Sequence, residues 1–135
     1  LGRSILSDHW GEGMLSQYAV PSLADDPDFR RAAGRYERAA VSPGDGLAML
    51  EVNLDIDTRA VLPSIKVPTL VMHNEGDMLV PIACGRYLAE HIPGARFAEL
   101  GGTDHLFWFS NPDEVVGEIE EFVVGTRTDP EPMNA

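Results

Sequence analysis

The stretch from His73 to Gly94, HNEGDMLVPIACGRYLAEHIPG, sets an aspartate behind an apolar run. Further on, GGTDHLFWF sets a histidine before an aromatic cluster. Asp77 and His105 are the two residue types of a charge relay. A carboxylate accepts the imidazole Nδ1–H, fixes the tautomer that leaves Nε2 as a base, and stabilises the imidazolium formed when histidine takes a proton. Neither is the usual attacking group. Taken singly, each has an ordinary reading: Gly76-Asp77 as a turn, and His105 as a histidine packed among Leu106, Phe107, Trp108 and Phe109. Position favours the functional reading. Each follows a strand-like apolar run, the pair is separated by 28 residues, and Leu79-Val80-Pro81 follows the aspartate.

The elements that must position them can be read from the same region. PTLVMHN is a short continuous apolar run, the pattern of a strand buried on both faces of a parallel sheet. Pro81 opens a helix over PIACGRYLAEHIPG, ended by Pro93 and Gly94. ARFAEL is a second strand and Gly101-Gly102 a turn. NPDEVVGEIEEFVVG is a helix with Asn111 as cap and Pro112 at its first position. Strand, helix, strand, helix makes a right-handed parallel βαβ unit. Ligands of such sheets sit beyond the carboxyl ends of the strands, which is where Asp77 and His105 fall. Two strands leave open edges that need partners, so further strands are expected from an upstream segment or from a second copy.

From Trp10 to about Leu62 the pattern is helical. Residues 12–20 suggest a short helix closed by Pro21. DDPDFRRAAGRYERAA offers Asp26 as cap and Pro27 as first residue, with Phe29, Ala32, Ala33, Tyr36 and Ala40 on one stripe. SPGDGLAMLEVNLDID repeats the device with Ser42 and Pro43 and puts Leu47, Leu50 and Leu54 on one face. The organisation is therefore a helical segment over 1–62, an α/β core over 63–125 and a polar, Pro-containing tail or linker over 126–135.

Net charge narrows the classes of partner. Twenty-two acidic against ten basic side chains leave −12, a field that repels phosphate backbones. Arg30, Arg31, Arg35 and Arg38 cluster, but Asp25, Asp26, Asp28 and Glu37 lie among them, as on a solvated helix face. Nucleic acid is not an expected partner. Cys84 is the single cysteine, so no internal disulfide forms and a reducing, cytoplasmic setting is compatible. No apolar run has the length to span a bilayer, so no membrane partner is expected. His9, His73, His91 and His105 show no metal-ligand spacing, and no phosphate or dinucleotide glycine motif occurs, so neither metal nor cofactor is expected. The chain opens on Leu1 rather than Met, and the expectation is that it begins inside a longer protein.

VPTLVMHNEGDMLVP resembles the acid-bearing strand and turn of the α/β-hydrolases, FAELGGTDHLFW their histidine loop, and RYLAEHIPGA the helix between them. HWGEG, PSLADDPDFRR, SPG and GRYLAEHIPGARF are similar to bacterial α/β-hydrolase domains that sometimes precede a nucleotide cyclase domain. The resemblance spans roughly Trp10 to Phe122. It implies the C-terminal part of an α/β-hydrolase fold with a helical cap segment, Asp77 as triad acid and His105 as general base. Met14, Tyr18, Tyr36, Phe107 and Trp108 are candidates to line an apolar pocket, with core packing the commoner fate of such residues.

One departure is large. That family carries its nucleophile in G-x-S-x-G, and the chain has no such pattern. GRSIL is nearest, but Leu6 replaces the second Gly and no strand precedes it, so Ser4 reads as an ordinary serine. Two functions therefore stay open. One is an esterase-like hydrolase of a small apolar substrate whose nucleophile lies outside this chain. The other is an inactive, hydrolase-like ligand-binding or regulatory domain.

Overall fold

The computed structural model describes residues 8–125. The chain divides into two compact units, one ending at Ala60 and the other beginning at Val61.

The first unit is helical: α1 (Met14–Ala19), a 3-10 turn (Pro21–Leu23), α2 (Pro27–Ala40) and α3 (Pro43–Asp55). Helix α2 starts where the sequence signals it. Asp26 accepts the N–H groups of Asp28 and Phe29 at 2.8 and 3.1 Å, and Pro27 takes the first helical position, where no N–H is needed. Ser42 caps α3 by accepting the Asp45 N–H.

The expected apolar stripe of α2 is corrected by the structure. Tyr36 is 75% exposed, and the buried residues of the helix are Gly34 and Glu37. Glu37, expected on a solvated face, is only 3% exposed, because one of its oxygens accepts the N–H groups of Gly11 and Gly13 at 2.9 Å each. Both glycines have positive φ, 87° and 77°, which lets two nearby N–H groups converge on one acceptor. Arg38 donates to the Gly11 carbonyl and Trp10 Nε1–H to the Val41 carbonyl, so the 9–13 loop is stitched to α2 mainly through polar groups. The four arginines line an open groove of about 540 Å³ along the same helix. In α3, Leu47 and Leu50 are half-buried while Leu54 is exposed.

A 3-10 segment (Arg59–Ser64) leads into the second unit, which holds β1 (Leu70–Asn74), α4 (Ile82–His91), β2 (Arg96–Leu100) and α5 (Pro112–Val124). The strands pair in parallel, Leu70 with Arg96 through Asn74 with Leu100. Alternation along a strand separates the two faces. Gly85 of α4 packs on the His73 side chain and Arg86 reaches Glu99, so α4 covers the face bearing residues 71, 73, 97 and 99. Arg96 bridges to Glu118 and Glu121, so α5 covers the other face. Ala98 and Leu100 of β2 and Val115 of α5 are buried in this unit, as are Leu62 and Ile92. Full burial of Leu100 alone contributes about 1.5–3 kcal/mol.

Among the described residues the sheet has two strands, and β1 is half-buried up to the fully buried Asn74. The strand expected to be buried on both faces is thus only partly covered within this chain. No described helix is long and apolar enough to cross a membrane.

Candidate active site

Asp77 and His105 project from the loops that follow β1 and β2, and the parallel pairing brings those loops together at one end of the sheet. The loops are also joined directly. Gly76 N–H donates to the Gly102 carbonyl at 2.9 Å, and Glu75 N–H to the Leu100 carbonyl at 2.9 Å.

The Asp77 side chain is only 2% exposed, yet each carboxylate oxygen has hydrogen-bond donors. Oδ1 accepts the N–H groups of Leu79 and Val80 at 2.8 and 3.0 Å. Oδ2 lies 2.8 Å from Nδ1 of His105. Burial alone would raise the Asp77 pKa. The Val80 N–H, the His105 hydrogen bond, the Leu79 N–H and attraction to the His105 charge outweigh it and hold the carboxyl below its ordinary value. Because a carboxylate only accepts, Nδ1 of His105 carries the proton, and the lone pair of the neutral ring is on Nε2. The His105 side chain is 36% exposed, and its Nε2 makes no hydrogen bond among the described residues.

The His105 loop is braced by hydrogen bonds to the residue that precedes the histidine. Asn74, at the end of β1, donates its amide to the Asp104 carbonyl at 2.8 Å, and Ser110 Oγ donates to the Asp104 carboxylate at 2.7 Å. Asp104 itself is fully buried. Asn111 occupies the position before α5, but its side chain does not cap the helix as expected. It donates instead to the Gly101 carbonyl, closing the loop between its two ends. That bond holds the side chain in an orientation in which its Oδ1 does not accept from the first turn of α5.

His73 also faces this carboxylate. Its Nε2 lies 2.9 Å from the Val80 carbonyl and 3.1 Å from Asp77 Oδ2, with the side chain 11% exposed. From the sequence, His73 is considered only as a metal ligand, and this contact is not found. The signal that could have found this contact is its place four residues before Asp77, at the end of the same strand.

The aromatic cluster flanks His105 in sequence. Phe107 and Trp108 meet edge to face with centroids 5.3 Å apart, and Trp108 is half exposed. Tyr18 and Tyr36 belong to the helical unit, in α1 and α2. Ser4 lies outside the described residues, as does the Met14 side chain. No group of three or more His, Cys, Asp or Glu among the described residues can hold a metal ion.

No family model matches the chain. Over 78 residues it is 36% identical to a pimeloyl-[acyl-carrier protein] methyl ester esterase of Aromatoleum aromaticum, a match covering 58% of this chain and 31% of that protein. Over 75 residues it is 31% identical to the karrikin insensitive 2 receptor CA of Petunia hybrida, covering 55% and 28%. The crystal structure of the enol-lactonase of Burkholderia xenovorans superposes with a TM-score of 0.67 at 25% identity, over 84% of this chain and 44% of that one. The fold is that of the C-terminal part of an α/β-hydrolase. The chain spans less than half the length of each of these proteins.

Proposed function

We propose that this chain carries the acid and base of an esterase-like, cofactor-independent hydrolase, with Asp77 as the orienting acid and His105 as the general base. The observation that carries the reading is the 2.8 Å contact from His105 Nδ1 to a buried Asp77 oxygen, with an accessible Nε2 on the far side of the ring. The attacking group, a serine in this reading, comes from a part of the protein outside this chain. Nε2 takes its proton as it adds to the ester carbonyl, giving a tetrahedral oxyanion. The imidazolium then returns the proton to the leaving alkoxide, and a water molecule repeats the sequence to release the acid. Asp77 stays ionised throughout, and its depressed pKa supports that role.

The esterase and lactonase relatives support a small ester or lactone as substrate. Trp108 and Phe109, which follow His105 closely in sequence and are both partly exposed, support an apolar acyl group. Residues 1–62 are the cap segment in this reading and 126–135 a linker. HWGEG and SPG extend the reading to a cytoplasmic bacterial hydrolase domain standing before a nucleotide cyclase domain, which the downstream reading frame decides.

A ligand-binding domain without turnover is the second reading. The likeness to a receptor and the lack of a G-x-S-x-G in the chain favour it. A fluorophosphonate probe separates the two in the full-length protein. The hydrolase reading expects one labelled serine together with turnover of a nitrophenyl ester. Absence of both label and turnover, with saturable binding of a small apolar ligand, would establish the binding domain instead.

A further inference from the structure

His73 is a largely covered titratable group at this site that the charge relay leaves unused. It comes from β1, on the face covered by α4. A Cβ at Gly85 would lie 2.6 Å from its Nδ1, so the imidazole fits against the helix only because residue 85 is glycine. On the other edge of the ring, Nε2 faces two oxygen acceptors, the Val80 carbonyl at 2.9 Å and Asp77 Oδ2 at 3.1 Å. Neither can donate, so Nε2 must carry the proton.

The contacts form a closed ring. His73 holds the Val80 carbonyl, Val80 N–H holds Asp77 Oδ1, and Asp77 Oδ2 faces both imidazoles. Val80 precedes Pro81, which restricts its backbone to extended conformations and stiffens the link.

We infer that His73 is a positioning residue: its Nε2–H holds the Val80 carbonyl, and with it the turn whose N–H groups hold the Asp77 carboxylate, aiming Oδ2 at His105 Nδ1. The inference rests on the charge-relay reading of Asp77 and His105. Without the anchor, the 79–81 turn and the carboxylate it holds can rotate together. His105 then loses the partner that selects its Nδ1–H tautomer. His73 never touches substrate in this account; it acts through Asp77.

The test is imidazole nitrogen NMR on the full-length protein, combined with ester kinetics, for wild type, His73→Phe, His73→Gln and Asp77→Asn. Wild type is expected to show neutral His73 protonated on Nε2 and neutral His105 on Nδ1. His73→Phe keeps the ring shape and removes the donor. It should cut the Nδ1–H fraction of His105 and lower kcat roughly 10- to 100-fold with little change in KM. His73→Gln can present an amide N–H to the same acceptors and should stay within about threefold of wild type.

A wild-type His105 signature and kcat in His73→Phe would reduce His73 to packing and overturn the inference. Equal impairment in His73→Gln, or a wild-type His73 protonated on Nδ1, would overturn it too. These last two readouts still decide the matter if His73→Phe does not fold. A His105 signature unmoved by Asp77→Asn would instead sink the underlying charge-relay reading, which the His73 tautomer alone does not test.

Discussion

Glu37 in the helical unit and Asp77 in the βαβ unit are both buried carboxylates that gather two backbone N–H groups on one oxygen. Around Glu37 the donors belong to Gly11 and Gly13, and the neighbouring Arg38 donates to the Gly11 carbonyl. The interaction closes a loop on a helix. Around Asp77 the donors come from its own turn and occupy Oδ1, while Oδ2 is presented to an imidazole whose far nitrogen is accessible. The same anchoring chemistry thus serves two ends. Where it serves a loop, it holds structure; where one oxygen is left to an accessible imidazole, it prepares a base in the function proposed above.

Substitutions can break this contrast in order of size. His105→Ala removes the proposed base and should lower kcat by roughly 10⁶ in the full-length protein, with the urea midpoint little changed. A loss of a few-fold would mean that the accessible imidazole is not a base, and the two carboxylates would then differ in nothing that matters. Glu37→Ala leaves two N–H groups without their acceptor and should cost about 2–4 kcal/mol in urea unfolding. Its effect on the His105 nitrogen signature should be negligible. Glu37→Gln keeps an acceptor and should cost about 1 kcal/mol. A Glu37→Ala protein as stable as wild type would contradict the structural role.

The smallest effect is a pH dependence. Asp77 has its folded pKa below the ordinary value of 3.8, so its ionised form stabilises the fold fully above that value. The contribution disappears as pH falls through the folded pKa. The urea midpoint difference between wild type and Asp77→Asn should therefore be constant near neutrality and shrink below about pH 4. A difference that instead grew on acidification would reverse the sign of the Asp77 assignment.

Much of the βαβ unit was legible because its signals are local. Pro81 and Pro112 sit at helix starts, Gly94 and Gly125 have the positive φ of a chain leaving a helix, and the apolar runs match β1 and β2 within two residues. Asp77 and His105 could be paired because each follows a parallel strand, and strand pairing alone brings such loops together. What stayed hidden depends on contacts distant in sequence. Glu37 sits among arginines and looks solvated; the N–H groups that donate to it lie 24 and 26 residues earlier, in a loop whose glycines carry no pattern. Tyr36 was read onto the apolar stripe because helical period alone cannot tell which side of α2 receives that loop. Asn111 looked like a cap, and only the fold shows that the Gly101 carbonyl claims its amide. His73 was visible as a strand-end histidine, but its two acceptors appear only once the 77–80 turn has closed.

The central claim is that Asp77 orients His105 for base catalysis, and Asp77→Asn tests it most directly. Asparagine keeps the volume but can turn its amide donor toward Nδ1, favouring the opposite imidazole tautomer with its proton on Nε2. Steady-state turnover of a nitrophenyl ester by the full-length protein should show kcat reduced about 10⁴-fold, or roughly 5 kcal/mol of barrier, with KM nearly unchanged. A kcat equal to that of wild type would contradict it.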